Sequence, residues 1–372
     1  MGSPLRVLHV VVNMNRGGAE TLIMNLYRNI DRTKVQFDFL TCKEGVFDSE
    51  ILEMGGKIHR ISYVTEVGHS GYVEELDMFF KEHSSYQIVH SHLDKMSGLV
   101  LRAAKKADVP VRIAHSHNTQ SEGGAGAKFY KWLVGQQIKR SATHLFACSN
   151  AASEWLFGNQ ADKAHLIKNG IEFEKFQFSF YIRNQVRAEL QLNNDTLVLG
   201  HVGRFCEQKN HMFLLETFAE IHKRVPDSKL VLVGDGPLKG KIKDKIRNLN
   251  LQHAVLVLGV RDDIPLLLQA FDAFLFPSFH EGLPVTLIEA QGAGLPCYIS
   301  ETITEEVDMG NGLVRFLPIT NMKVWVEQIL DSENTQLARN VSHAAFTLKG
   351  YDIRKTAQDT ERSYITLGGK TG

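Results

Sequence analysis

The chain has no apolar run approaching the ~20 residues a helix needs to cross a bilayer. Its start, Met1-Gly2-Ser3-Pro4, lacks a secretory signal pattern. A cytoplasmic location is therefore expected, with peripheral attachment at the inner face of the cell membrane left open. Paired cysteines are also missing. Cys42, Cys148, Cys206 and Cys297 are scattered and form no CxxC motif. All four lie in or beside apolar, strand-like runs, which reads as buried thiols rather than disulfides or metal ligands. Net charge is absent as well: 42 Lys+Arg balance 42 Asp+Glu. That removes the electrostatic argument for a nucleic-acid partner. No sequence repeat at a fixed period is visible, which argues against a solenoid.

What is present is an ordinary soluble composition, 43 % apolar and 23 % charged, over 372 residues. A chain of that length predicts two domains of roughly 150–200 residues each. Short β-rich apolar runs stand at Arg6–Val12, Val35–Thr41, Ile88–Ser91, Val111–Ala114 and His144–Cys148. Helix-period stretches such as Ala19–Ile30, Lys95–Ala107 and Ala127–Arg140 lie between them. After a polar stretch, Glu172–Asp195, the alternation restarts at Leu197–Val202, Lys229–Val233, Ala254–Leu258, Ala273–Phe276 and Cys297–Ser300. Near-continuous apolar strands alternating with helices predict buried parallel sheets. Two such series predict an α/β chain of two Rossmann-like, doubly wound domains.

Open parallel sheets bind ligands beyond the carboxyl ends of their strands. The loops there carry the distinctive residues. Asn15-Arg16-Gly17-Gly18 follows the first strand without matching GxGxxG, so no dinucleotide fingerprint is supported. Gly17 and Gly18 serve either as a plain turn or as a place where backbone approaches an anion or sugar. His90 and His92 end one strand, and His115 and His117 end another. Alternate strand residues share a face, so each pair presents two imidazoles together. Structural histidines and a cleft-facing polar site are both open; metal binding is disfavoured without a carboxylate or Cys at ligand spacing. In "GRFCEQKN", Gly203 permits a sharp turn, while Arg204 and Lys209 can reach one anion near a helix N-terminus. The alternative is surface pairing with Glu207 or Glu216. "GDGP", Gly234–Pro237, is a strand-end turn.

"HEGLPVTLIEA" holds Glu281 in a loop and Glu289 in the following helix, with Pro284 suited to the helix's first turn. Gly282 and Leu283 would offer backbone amides between the two acids. Carboxylates accept paired hydroxyl hydrogens well, so the acids can grip two ends of an extended polyol ligand. They can equally be a helix-dipole acid and a surface acid.

Taken together, "NRGGAE", "GRFCEQKN", "LVGDGP" and "PSFHEGLPVTLIEA", the last with an E-x₇-E pattern, resemble the retaining nucleotide-sugar glycosyltransferases of family four, group 1. "HVVVNMNRGGAETLIMNLYR" and "VRIAHSHNT" are similar to the exopolysaccharide and capsule branch. The resemblance implies the GT-B fold, two Rossmann-like domains facing a central cleft. It implies an acceptor domain over 1–175, a donor domain over 176–350, and a final helix over 351–372 packing back on the first domain. By the same resemblance Arg204 and Lys209 hold the departing diphosphate, Glu281 contacts the donor sugar and Glu289 the ribose. Gly17, Gly18, Gly203, Gly282 and Leu283 lie along the donor, and the base rests near Gly259–Arg261. His117 lies near the reacting carbon with His115 as rival, and Arg16 stands on the acceptor side. The chain departs from the family in "GLPCYIS" and in the loop Glu301–Asn311.

The implied reaction moves a hexosyl group from a UDP-sugar to a saccharide or lipid-linked acceptor. No DxD acid pair is placed to hold a metal, and metal-independent transfer with no cofactor is expected. A nucleotide-sugar epimerase and a non-catalytic sugar-nucleotide sensor are the alternatives. Residues 127–140 mix Lys128, Lys131, Lys139 and Arg140 with Phe129, Tyr130 and Trp132. That helix either packs with its charges solvated or lies on anionic lipid.

Overall fold

A computed structural model describes residues 3–121, 123–331, 339 and 341–369. The chain forms two compact units: Met1–Gly170 together with Gly350–Gly372, and Ile171–Lys349.

The first unit is built on a seven-stranded sheet. Its strands are β1 (Leu5–Val10), β2 (Val35–Thr41), β3 (Ile58–Arg60), β4 (Ile88–Ser91), β5 (Val111–Ser116), β6 (His144–Ala147) and β7 (His165–Leu166). Their spatial order is β3-β2-β1-β4-β5-β6-β7, and every pair is parallel. All seven residues of β2 are buried, as expected where helices cover both faces of a sheet. The one carboxylate there, Asp38, accepts from Arg6 Nε at 2.6 Å, Tyr86 OH at 2.8 Å and Lys57 N at 2.7 Å. The last helix, Ile353–Gly369, belongs to this unit. It sends Ile353, Ala357 and Tyr364 into the core beside Tyr27, Phe37 and Phe39, and Glu361 Oε2 accepts from Asp31 N at 2.8 Å.

The second unit has a six-stranded sheet of β8 (Leu197–Val202), β9 (Ser228–Val233), β10 (Val255–Gly259), β11 (Ala273–Phe276), β12 (Cys297–Ser300) and β13 (Val314–Leu317). Its order is β10-β9-β8-β11-β12-β13, again parallel throughout. Both units are therefore Rossmann-like, with the order reversing beside the first strand of each.

Several expectations change. The polar stretch 172–195 is not featureless: it forms helices Phe173–Phe176 and Phe180–Glu189. The second carries Arg187, wholly buried, which donates to four carbonyl oxygens of Ala270, Asn193, Asn194 and Thr196 and pairs with Asp272 at 2.7 Å. A buried guanidinium is tolerable because its donors are met. The single helix expected over 127–140 is two, Ala125–Gly135 and Ile138–Ser141. Cys148 and Cys297 are buried free thiols, but Cys42 and Cys206 are only partly buried.

Gly200 shows how closely helix and sheet are fitted. A Cβ on this β8 residue would stand 2.0 Å from Cδ2 of Phe271, itself fully buried. Gly200→Ala should therefore cost about 3 kcal/mol by overpacking, read as a lowered urea midpoint; an unchanged midpoint would show that Phe271 yields freely.

Candidate active site

In the second unit the strand-end loops lock into one another. After β8 the segment 203–210 runs through a short turn, Glu207–Lys209, and Asn210 (φ 53°) hands the chain to the helix His211–Arg224. Phe205 N donates to Asp235 O, and Leu238 N donates to Phe205 O, both at 2.9 Å. Gly234 has φ 140°, and a Cβ there would sit 2.0 Å from Gly203 O, so only glycine fits. "GRF" and "GDGP" are thus one packed assembly. Asp235 serves it locally, accepting from Gly236 N at 2.7 Å and pairing with Lys239 at 2.5 Å. Gly203 faces Lys209: a Cβ would meet the lysine Cδ at 3.3 Å.

Lys209 and Glu281 come together from 72 residues apart. Nζ lies 2.7 Å from Oε1, with side chains only 14 % and 10 % exposed. The ammonium also stands 4.5 Å from the centroid of Phe276, the last residue of β11, a favourable cation–π placement. Two further bonds stitch the loops: Gln208 Nε2 donates to His280 O at 2.7 Å, and Phe279 N donates to Gln208 O at 2.8 Å. Arg204 is exposed and makes no ion pair among the described residues. The alternative pairing with Glu207 or Glu216 does not occur, since these face Lys241 at 4.0 Å and Lys245 at 2.5 Å. An ammonium has three donors, so Lys209 can keep Glu281 and still hold an anion.

Pro284 is the residue before the helix Val285–Gly292 rather than inside its first turn. Gly282 and Leu283 are buried in the loop that precedes it. Glu289 is on the second helical turn and only partly exposed. Desolvation of its carboxyl raises its pKa to about 7. Arg261 already spends its fork on Asp263, at 2.8 Å and 2.5 Å, and meets Glu189 at 3.3 Å. Its planar charge is thus committed to two carboxylates.

Two histidines beside Lys209 escaped sequence reasoning. His201 donates or accepts through Nδ1 at Leu275 O, 2.8 Å away, leaving Nε2 unpartnered. His211 is 1 % exposed, has neither nitrogen partnered, and packs edge-on to Phe205 at 4.9 Å. Burial lowers its pKa to about 4, so it stands neutral beside the ammonium. The signal was their position flanking "GR…K".

In the first unit Gly17 is the N-cap and Gly18 the first residue of the helix Gly18–Asn29. Neither has positive φ. Glu20 folds back on Gly17, where a Cβ would meet its Oε2 at 2.2 Å. Arg16 is exposed. The histidines assemble into two hydrogen-bonded rows. His9 Nδ1 lies 2.9 Å from His92 Nε2, and His92 Nδ1 lies 2.8 Å from His117 Nε2. His90 joins Tyr364 OH at 2.6 Å and His115 Nδ1 at 3.0 Å. The rows stack, with His115 and His117 centroids 4.0 Å apart and His90 and His92 4.2 Å apart. His115 is wholly buried, whereas His117 keeps some exposure. Desolvation holds all five far below the usual imidazole range, His9 and His117 at about 3. Two trios, His9/His90/His92 and His92/His115/His117, bring one nitrogen each within 4.8 Å, close enough for a transition metal. Neither trio contains a carboxylate or thiolate, and the rings' nitrogens bond one another instead.

Family models match both units: "Glycosyltransferase Family 4" over residues 16–175 and "Glycosyl transferases group 1" over residues 182–340. A Bacillus subtilis (strain 168) protein bearing the name glycosyltransferase EpsF is 44 % identical, covering 88 % of this chain and 87 % of that one. The Staphylococcus aureus capsular polysaccharide biosynthesis glycosyltransferase CapH is 26 % identical over 97 % of this chain and 99 % of its own. Anabaena HepE, solved with UDP and glucose, superposes with TM-score 0.75 at 19 % identity over 99 % and 98 % of the two chains. That likeness shows the fold, GT-B.

Glu289 carries a stability consequence of definite sign. Its folded pKa is raised from the ordinary 4.5 to about 7, so it favours folding when protonated and the advantage is lost as pH rises through 7. Glu289→Gln should leave ligand-free stability unchanged near pH 4 and raise it at pH 8 by on the order of 2 kcal/mol, followed by urea unfolding. A variant less stable than the parent at pH 8 would refute the desolvated acid.

Proposed function

Because the chain belongs to the family 4, group 1 glycosyltransferases, we propose that it moves a hexosyl group from a UDP-sugar to a hydroxyl of a lipid-linked saccharide, with retention, in exopolysaccharide or capsule synthesis. The observation that carries this reading is the Lys209–Glu281 pair with exposed Arg204 on the same loop. It supports the reading by offering cationic donors to a diphosphate and a carboxylate to sugar hydroxyls.

In this scheme the bond from the anomeric carbon to the diphosphate oxygen breaks and its electron pair stays on the diphosphate. Arg204 and Lys209 meet that growing charge. The acceptor oxygen bonds to the anomeric carbon on the same face, and its proton passes to the departing phosphate oxygen. Glu281 holds the sugar and Glu289 the ribose. Gly203, Gly282 and Leu283 line the diphosphate, and the Gly259–Arg261 turn supports the base. On the first unit His117 meets the saccharide with His115 behind it, while Arg16, Gly17 and Gly18 serve the acceptor or the diphosphate. The protein's own cations supply the electrophilic assistance, so added divalent metal is not required.

Support for the donor comes from HepE, whose solved forms hold UDP, UDP and glucose, or UDP-glucose. Support for the acceptor comes from an Escherichia coli galactosyltransferase, 35 % identical over 58 % of each chain, named for transfer from UDP-Gal to a GlcNAc-diphosphoundecaprenol. Among the described residues no helix is long and apolar enough to cross a membrane. A surface attachment is supported instead by the helix Ala125–Gly135. It docks through Val134, whose carbonyl oxygen would lie 2.1 Å from a Cβ on Gly98, and leaves Phe129, Trp132 and Leu133 about half exposed or more. Lys128, Lys139 and Arg140 are exposed nearby. An aromatic face with cations beside it suits the anionic inner surface of a cell membrane.

With UDP-glucose, UDP-galactose and UDP-N-acetylglucosamine as donors, Arg204→Ala and Lys209→Ala should each lower kcat by about 10²–10³ while the melting temperature holds. Near-normal turnover in both would end this assignment. In co-sedimentation, vesicles rich in phosphatidylglycerol should bind the protein at low salt and phosphatidylcholine vesicles should not. Phe129→Ala/Trp132→Ala should abolish the binding. Equal binding to both lipids, or none, would remove the membrane role.

A further inference from the structure

The helix Val285–Gly292 carries Glu289, and six of its eight residues are buried. Only Thr286 and Glu289 keep some exposure. They stand three apart, so they form one open stripe along the helix. The buried side holds one long polar residue, Gln291, 0 % exposed. At about 100° per residue it lies roughly 200° round the helix from Glu289.

Gln291 fastens that far side. Its amide nitrogen donates to Val307 O at 2.8 Å and to Leu287 O at 3.0 Å, and its oxygen accepts from Met309 N at 2.9 Å. A primary amide has two N–H donors. Both are spent on carbonyls, and the oxygen must face the backbone N–H, so the amide has one orientation. Val307 and Met309 are themselves buried and belong to the loop Glu301–Asn311. That loop is tied at its start as well: Thr302 Oγ1 donates to Ser278 O at 3.2 Å, three residues before Glu281. A buried amide with every donor met fixes direction as well as depth, whereas an apolar side chain of similar volume fixes depth alone.

We infer that Gln291 is a positioning residue for the nucleotide-sugar: by clamping the back of this helix to Val307 and Met309, it sets the rotation at which Glu289 meets the ribose. The loop Glu301–Asn311 is then the brace behind Glu289. The inference rests on the reading of Glu289 as the ribose-binding acid.

The test is calorimetric binding of UDP and of 2′,3′-dideoxy-UDP, which lacks both ribose hydroxyls, to the full chain. The parent should prefer UDP, and Glu289→Ala should erase that preference. Gln291→Met keeps the volume and removes all three bonds. It should bind UDP about tenfold more weakly and dideoxy-UDP as the parent does, and its donor KM should rise with kcat little changed. Equal weakening of both nucleotides marks general loosening of the fold and overturns the inference. If the melting curve shows that Gln291→Met does not fold, Gln291→Glu takes its place. It keeps an acceptor for Met309 N, loses the donors, and should lower the preference for UDP in the same way. A preference erased by Glu289→Ala but kept in the folded Gln291 variant overturns the inference alone. A parent with no preference, or one that Glu289→Ala leaves intact, overturns the ribose reading beneath it.

Discussion

A parallel strand buried on both faces leaves chemistry only one place to go. Its backbone groups are spent on its neighbours, and its side chains meet helices above and below. Polar work must then gather where the strands end, and in a parallel sheet every strand ends on the same edge. Both units obey this constraint separately. Phe276 closes β11 and Val202 closes β8; the loops after them deliver Glu281 and Lys209 to one ion pair. Ser91 closes β4 and Ser116 closes β5, and beyond them stand His92 and His117, 2.8 Å apart.

The two edges resolve the cost of burying polar groups in opposite ways. On the second unit charge is kept and compensated. Lys209 has Glu281 on one side and the Phe276 ring on the other, which offsets desolvation without using all three ammonium hydrogens. The histidines beside it stay neutral because burial desolvates them, with repulsion by the ammonium adding to it. On the first unit charge is given up altogether. Five imidazoles share hydrogens in rows rather than ionise, since an imidazolium buried there would be desolvated. The former edge carries fixed charge and the latter only neutral donors and acceptors.

The strands most legible in the sequence were those whose apolar run is bounded by polar or turn residues. Val35–Thr41, Ile88–Ser91, Leu197–Val202, Ala273–Phe276 and Cys297–Ser300 occur with the expected ends. The three unforeseen strands are β3, β7 and β13, outer members of the sheets with two to four residues and one half-covered face. So short a run carries little periodic signal. The helix expected over 127–140 divides because Gln136–Gln137 allow a turn that only packing selects. The strand-end positions of the candidate residues were legible, while their electrostatics were not. Glu289 looks like any helical acid until the loop around it is folded, and Arg261 looks like a free cation until Asp263 closes on it. The pairing of His90 with His92 followed from strand alternation, but His9 and Tyr364 did not. They join only because β1 lies between β2 and β4 and the last helix returns to the same core.

That return has a consequence for how the first unit is completed. Residues 1–170 contain the whole seven-stranded sheet, yet three core side chains, Ile353, Ala357 and Tyr364, arrive from beyond residue 350. Without them Phe37 loses its edge-on contact with Tyr364 at 5.9 Å, and His90 Nδ1 loses its hydrogen-bond partner. A buried imidazole nitrogen would then be unmet. The histidine edge is therefore completed only by the chain's final helix.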